Sequence, residues 1–149
     1  VVMAEDIFSQ APNLSGMAKS LSIERGQWSP GHCSVLVNVE EFHCNKGGVA
    51  HGGLFTIMLD MACGGALVSG LLKEEWCATT QLNVSFIDAG RVGERLEAVG
   101  SVTRRGRNVA HLCGEIRTQS GRLIATATGT WMIWQSKPEN FPGRESDNE

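Results

Sequence analysis

The stretch Asn45–Gly70, NKGGVAHGGLFTIMLDMACGGALVSG, decides how the chain is read. A glycine-rich entrance leads into an apolar run, and no Lys or Arg occurs between Gly47 and Leu72. The run predicts a helix of about twenty residues, from Gly52 or Gly53 to Leu72, with Asp60 in its middle. By i±3 and i±4 spacing Asp60 shares a face with Thr56, Ile57, Cys63, Gly64 and Leu67, while Leu54, Met58, Met61, Gly65 and Val68 take the opposite side. A helix apolar nearly all round is expected to be buried on most sides. An ionised carboxylate there is costly unless it is hydrogen-bonded or wetted. Asp60 is therefore either a structural residue satisfying a backbone amide or a catalytic carboxylate in a cleft or at a subunit interface. Gly52 and Gly53 fall in the first turn, where amide N–H groups lack intrahelical partners. Those amides and the helix dipole offer a site for an oxyanion or a polarised carbonyl, and glycine lets a ligand approach closely. His51 beside them reads as a cap, a packing residue or part of that site. Gly64, Gly65 and Gly70 lower helix propensity by up to about 1 kcal/mol each, which predicts close packing on a sheet or a partner helix.

Outward from the helix, the pattern changes to strands. Upstream, MAKSLSIERGQWS and GHCSVLVNVE read as two strands around a turn near Gly31, with Cys33, Val35, Val37 and Val39 alternating in the second. Downstream, TTQLNVSFI places Leu82, Val84 and Phe86 on one face and Gln81, Asn83 and Ser85 on the other. RLEAVGSVTR, NVAHLCGEIRTQ and RLIATATGTWMIW follow, joined by the short turns RRGRN and QSGR, which predicts antiparallel hairpins. Two strands, one long helix and four strands make an α+β chain, since one apolar helix and one sheet must cover each other. The 149 residues suggest one domain, 1–149, with an N-terminal segment of about 1–16 holding a short helix, AEDIFSQA, and a frayed tail of about 136–149.

Composition excludes several classes. The net charge of −3 argues against a nucleic-acid or anionic-membrane binder. The five cysteines, Cys33, Cys44, Cys63, Cys77 and Cys113, are odd in number and lack a CxxC, which favours a reducing compartment over a disulfide framework. VVMAEDIF lacks the features of a secretory signal, so the expected location is cytoplasmic. Leu54–Leu72 has the length of a membrane span. Asp60 at its centre would cost about 2.5–3.5 kcal/mol and no basic cluster flanks it, so it is read as a core helix. His32-Cys33, His43-Cys44 and His51 match no zinc spacing, and no metal is expected. No GxSxG serine elbow occurs. Trp28, Trp76, Trp131 and Trp134 read as core or interface aromatics, some of which could line a pocket.

Asn45, His51-Gly52-Gly53, Asp60 and Thr79 together resemble the pattern of hotdog-fold acyl-CoA thioesterases, in the phenylacetate-degradation branch and its small thioesterase-superfamily relatives. Asn stands six residues before the His and Asp nine after it. The resemblance covers residues 17–134 and implies a curved antiparallel sheet of about six strands wrapped around one long central helix. It implies that the Gly52 amide polarises the thioester carbonyl, with Gly53 beside it against the substrate. Asp60 would act as general base or nucleophile, Asn45 would hold the water or thioester, and His51 would orient the loop. Thr79 would orient water beside Asp60; ungapped spacing favours it over Thr80, which faces the other way. The site would straddle a dimer interface, with Asn45, His51 and Gly52 from one subunit and Asp60 and Thr79 from the other. The expected assembly is a homodimer at least, and a homotetramer.

Thioester hydrolysis needs a polarised carbonyl and an activated water, so no cofactor is expected and coenzyme A enters as part of the substrate. Arg104, Arg105 and Arg107 in one turn and Arg122 in the next are candidates for its phosphates. The acyl group expected is medium-chain or aryl. The rival readings are a non-catalytic acyl-CoA-binding or sensing hotdog and a hotdog enoyl-CoA hydratase. Asp60 disfavours the first, and the second wants an Asp/His pair arranged differently.

Overall fold

The computed structural model describes residues 10–14 and 16–141. Its elements are α1 (Met17–Ser20), β1 (Glu24–Ser29), β2 (His32–Asn38), α2 (Gly52–Val68), β3 (Trp76–Phe86), β4 (Arg95–Arg105), β5 (Val109–Thr118) and β6 (Leu123–Trp134). All strand pairs are antiparallel, in the order β1-β2-β4-β5-β6-β3. The β4–β5 and β5–β6 hairpins are those the turn residues predict. The chain leaves β2, runs through α2 and returns as β3 at the far edge, so the helix crosses one face of the sheet. The expected α+β hotdog architecture is the one observed.

Alternation builds the inner face. In β6, Ala125, Ala127, Trp131 and Ile133 are buried, while Thr128 and Met132 point outward. In β2, Cys33, Val35 and Val37 are fully buried. Ser34, on the other face, is also buried because the bulged β1 closes over it: the Gln27 amide donates to Ser34 Oγ at 2.8 Å.

Three expectations are corrected. Met17–Ser20 is a helical turn rather than the start of a strand, with Leu21 N–H donating to Met17 O at 3.0 Å. The long helix stops at Val68 instead of Leu72. Ser69 ends it by donating its hydroxyl to Ala66 O at 2.7 Å while accepting from the Gly31 amide at 3.0 Å. The helix is also two-faced. Leu54, Phe55, Met58, Leu59, Ala62, Cys63, Ala66 and Leu67 are buried, whereas Thr56, Ile57, Asp60, Met61, Gly64, Gly65 and Val68 are half-buried. Asp60 thus keeps Thr56, Ile57 and Gly64 as stripe-mates and gains Met61, Gly65 and Val68, which were expected on the opposite side, while Cys63 and Leu67 turn under it onto the sheet. Among the described residues, no helix is long and apolar enough to cross a membrane.

The expected terminal helix lies mostly outside the described residues, and Gln10 and Ala11 at its end are not helical. Residues 136–141 of the expected frayed tail instead fold back, with the Phe141 ring edge-on to Trp134 at 5.4 Å and Trp76 at 6.1 Å.

The helix meets the sheet at backbone distance. Gly100 of β4 and Gly114 of β5 face one another in register. A Cβ on Gly100 would lie 2.4 Å from Ala62 C and O, and one on Gly114 would lie 3.0 Å from Cys63 Sγ. Gly65 makes a similar approach from the helix side, where a Cβ would meet Cys33 Sγ at 2.5 Å. Gly100→Ala, colliding with helix backbone rather than a flexible side chain, is expected to lower unfolding free energy by about 3 kcal/mol, the upper end of overpacking costs. Denaturant titration of the two proteins measures this.

Candidate active site

Asp60 is held by a strand, not by its own helix. Thr79, near the start of β3, donates its hydroxyl to Asp60 Oδ1 at 2.7 Å. Thr80 is the extra residue of a bulge between Thr79 and Gln81, and its hydroxyl goes to Thr130 O at 2.9 Å. The bulge therefore decides between the two threonines. With Oδ1 occupied, Oδ2 is the carboxylate oxygen left to take a proton.

The pair stands at the junction of two cavities. The larger, about 590 Å³, has Thr56, Ile57, Asp60 and Met61 as its floor and Leu82 of β3 as one wall. Asn13, Leu14, Met17 and Ala18 close it on the other side. The smaller, about 290 Å³, shares Asp60 and Met61 but adds Arg25 and Trp28 over Gly64 and Gly65. The Arg25 guanidinium lies 5.0 Å from the Trp28 ring centre and donates to Cys33 Sγ and Pro12 O.

The helix entrance forms as its residues require. His51 is the N-cap in extended conformation, and its Nδ1 accepts from the Gly53 amide at 2.9 Å. This leaves the ring proton on Nε2. The Leu54 amide bonds His51 O at 2.9 Å. Among the described residues the Gly52 amide finds no acceptor, so it is the orphan donor of the turn. Gly53, expected beside it against substrate, has its amide committed to His51. Phe86 was expected inside with Leu82 and Val84. It is instead 58% exposed, and its ring sits 3.1 Å from where a Gly52 Cβ would be. The strand alternation runs out there, and the bare α-carbon of Gly52 is the signal that a ring could dock.

Asn45 is exposed and holds the turn before the helix: its Oδ1 accepts from the Gly47 amide at 2.8 Å, and its carbonyl accepts from Gly48 at 3.0 Å. It lines neither Asp60 cavity. Within one chain Asp60 and Thr79 are brought together, and so are His51, Gly52 and Gly53, but the two groups stay apart. Gly52 and Asp60 stand eight positions apart on the helix, about 12 Å along the axis.

The cysteine near the site is no rival nucleophile. Burial, helped by Cys113 and by the Asp60 charge, pushes the Cys63 thiol up to about 12. Burial raises Cys33 as well, against the pull of Arg25. Asn13, Leu14, Met17 and Ala18 were missed as lining because they carry no period; only the apolar pair Leu14 and Met17 hinted at them.

Two of the four candidate phosphate arginines are paired with carboxylates of the fold. Arg105 grips buried Glu75 at 2.6 and 2.7 Å and donates to Gly70 O at 3.0 Å. Arg122 bridges Asp88 at 2.8 Å and Glu94, and donates to Ala89 O. Arg104 and Arg107 have no carboxylate partner among the described residues.

The thioesterase superfamily model matches residues 47–125. A Pseudomonas aeruginosa protein, provisionally named an esterase, is 35% identical over 100 residues, which are 66% of this chain and 73% of that one. A medium/long-chain acyl-CoA thioesterase of Escherichia coli is 33% identical over 98 residues, 57% of this chain and 63% of its own. A hypothetical thioesterase from Streptococcus pneumoniae, solved with coenzyme A, superposes with a TM-score of 0.71 at 25% identity, covering 78% of this chain and 88% of that one.

The Arg122 bridge gives a pH prediction. The Arg122 hydrogen bond holds Asp88 below its ordinary value. Burial pushes Glu94 up, but the Arg91 amide and Arg122 outweigh it, so Glu94 is also lowered. Carboxyls lowered in the fold stabilise it above their unfolded values and lose that contribution as pH falls through the folded ones. Arg122→Gln should therefore lower Tm at pH 7, and the gap should close as pH falls through 3.8–4.5 and below. Thermal melts across that range measure it.

Proposed function

Because the chain belongs to the thioesterase superfamily, we propose that it hydrolyses acyl-CoA thioesters, with medium-chain or aryl-acyl groups preferred. The observation that carries this is the 2.7 Å Thr79–Asp60 hydrogen bond, whose carboxylate lies on the floor of an apolar cavity of about 590 Å³. Thr79 steadies Oδ1, and Oδ2 takes a proton from water as the water oxygen attacks the thioester carbonyl. The Gly52 amide stabilises the oxyanion. The carbon–sulfur bond then breaks as Oδ2 returns its proton to the departing sulfur, releasing the carboxylic acid and the CoA thiol. Thr79 is a positioning residue, because its proton goes to Asp60 itself. The coenzyme A bound to the Streptococcus relative and the substrate in the name of the Escherichia relative agree with this class. Arg104 and Arg107 are the arginines left for nucleotide phosphates.

Reacting groups must approach within about 3.5 Å. An amide and a carboxylate about 12 Å apart on one helix cannot serve one carbonyl. A second copy supplies the missing half: Asn45, His51 and Gly52 from one subunit complete the Asp60–Thr79 pair of the other. The β3 edge supports such a dimer. It is 11 residues long, pairs on one side only, and contains neither proline nor charge, which leaves its N–H and C=O row open to another strand. A twofold joining two β3 edges antiparallel sets each helix N-terminus beside the middle of the other helix. The half-buried stripe of Ile57, Met61 and Val68 would be covered by the same contact.

Asp60→Asn should keep the fold and lower kcat on acyl-CoA by about 10²-fold or more, measured by thiol release. Thr79→Ala should lose less, and Thr80→Ala little. Undiminished turnover in folded Asp60→Asn would remove Asp60 from the mechanism, and acyl-CoA binding without turnover by the wild type would favour the sensing reading.

Mixing subunits tests the shared site. Inactive Asn45→Ala and inactive Asp60→Asn, allowed to exchange, should form heterodimers in which one of the two sites is intact. Random exchange makes about half of the dimers hetero, returning roughly a quarter of wild-type activity if the sites are independent. Persistent inactivity with exchange confirmed by mass spectrometry would mean that each site is built from one chain.

A further inference from the structure

Resting on the thioesterase reading, we propose that Leu14 and Met17, on the segment preceding β1, set the length of acyl chain accepted beside Asp60. The choice of cavity comes first. Of the two that Asp60 lines, the smaller holds the Arg25 guanidinium, and an alkyl tail there would strip water from a fixed charge. Among the described residues the larger has no cation in its lining, and its volume of about 590 Å³ suits a ligand portion.

Position along the chain orders its walls. Ile57 and Met61 lie within a turn of Asp60, and Leu82 lies three residues beyond Thr79. Leu14 and Met17 share no element with that pair and close the cavity from outside. A growing acyl chain passes Ile57, Met61 and Leu82 and then reaches them.

The outer wall is also the adjustable one. Its helix, α1, has four residues, too few to hold itself. It is fastened from below: Ala18 is buried, the Ile23 amide donates to Ala18 O at 2.9 Å, and His43 Nε2 donates to Leu21 O at 2.7 Å. Met17 itself stays 65% exposed at the rim. Its unbranched side chain has three rotatable bonds and fills or vacates space without moving backbone. The inner wall lacks this freedom, since Ile57 and Met61 are carried on a 17-residue helix packed against the sheet.

The test is kcat/KM over saturated acyl-CoAs from butanoyl to hexadecanoyl, for wild type, Met17→Ala, Met17→Trp and Leu14→Ala, with melting temperatures alongside. For the wild type, kcat/KM should climb about fourfold per methylene, the equivalent of about 0.8 kcal/mol, until the chain meets the outer wall. Met17→Ala and Leu14→Ala should move that limit to longer chains and Met17→Trp to shorter ones, by about two methylenes, or about sixteenfold in the long-to-short rate ratio. Butanoyl-CoA, too short to reach the outer wall, should change least of the panel, and melting temperature should hold in the two Met17 variants, whose side chain is exposed. A profile that does not move in all three variants, with turnover intact, overturns this inference and leaves the thioesterase reading standing. Absence of hydrolysis by the wild type across the whole panel removes that reading and this inference with it.

Discussion

The rest of the structure depends on the contact between α2 and the sheet at Gly100 and Gly114. These residues lie opposite each other on neighbouring strands, and the helix backbone at Ala62 and Cys63 settles where their side chains would have been. The contact fixes both the height of the helix over the sheet and its rotation about its own axis. That rotation turns Cys63 and Leu67 inward and leaves Asp60, one step around, at the edge of the core. Had the helix ridden higher on larger side chains, Thr79 of β3 could not have reached the carboxylate at 2.7 Å. A packing constraint deep in the protein therefore sets the geometry of the group proposed to do the chemistry.

The same placement explains why, on the proposed mechanism, one copy of the chain is chemically unfinished. A helix N-terminus is a good electrostatic site for a developing oxyanion, and a carboxylate at a core edge is a good proton acceptor. Both belong to α2, on one stripe, and the fixed rise of a helix keeps them apart. In the proposed dimer the conflict disappears, because the antiparallel partner presents the end of its own helix. The uncharged β3 edge and the half-buried apolar stripe fit that arrangement, as each is a liability on a chain that stays alone.

Charge on the surface is used differently from what residue type suggests. Arg105 and Arg122 stand in or beside hairpin turns, where arginine commonly meets solvent or phosphate. Each instead ties chain segments remote from its own turn: Arg105 joins the end of β4 to the loop after α2, and Arg122 joins the β5–β6 turn to the loop after β3. Both grip carboxylates that close on them through the sheet, at a sequence separation of roughly thirty residues.

The amino-acid sequence by itself determined the α+β class, the existence and entrance of the long helix, the two C-terminal hairpins and the family. Each of these rests on local physics: period, turn chemistry, helix capping, and the spacing of His51, Gly52 and Asp60 on one element. Tertiary structure alone decided which face of the helix is buried, because a run apolar on all sides has no pattern to orient it. It chose Thr79 over Thr80, since a bulge against β6 is a property of two strands. It recruited the aperiodic Asn13, Leu14, Met17 and Ala18 to the cavity and paired Arg105 and Arg122 with carboxylates, because these partners come from distant parts of the chain. Local preferences act within a few residues, whereas the apolar chamber beside Asp60 is closed by segments that meet only after the sheet has folded around the helix.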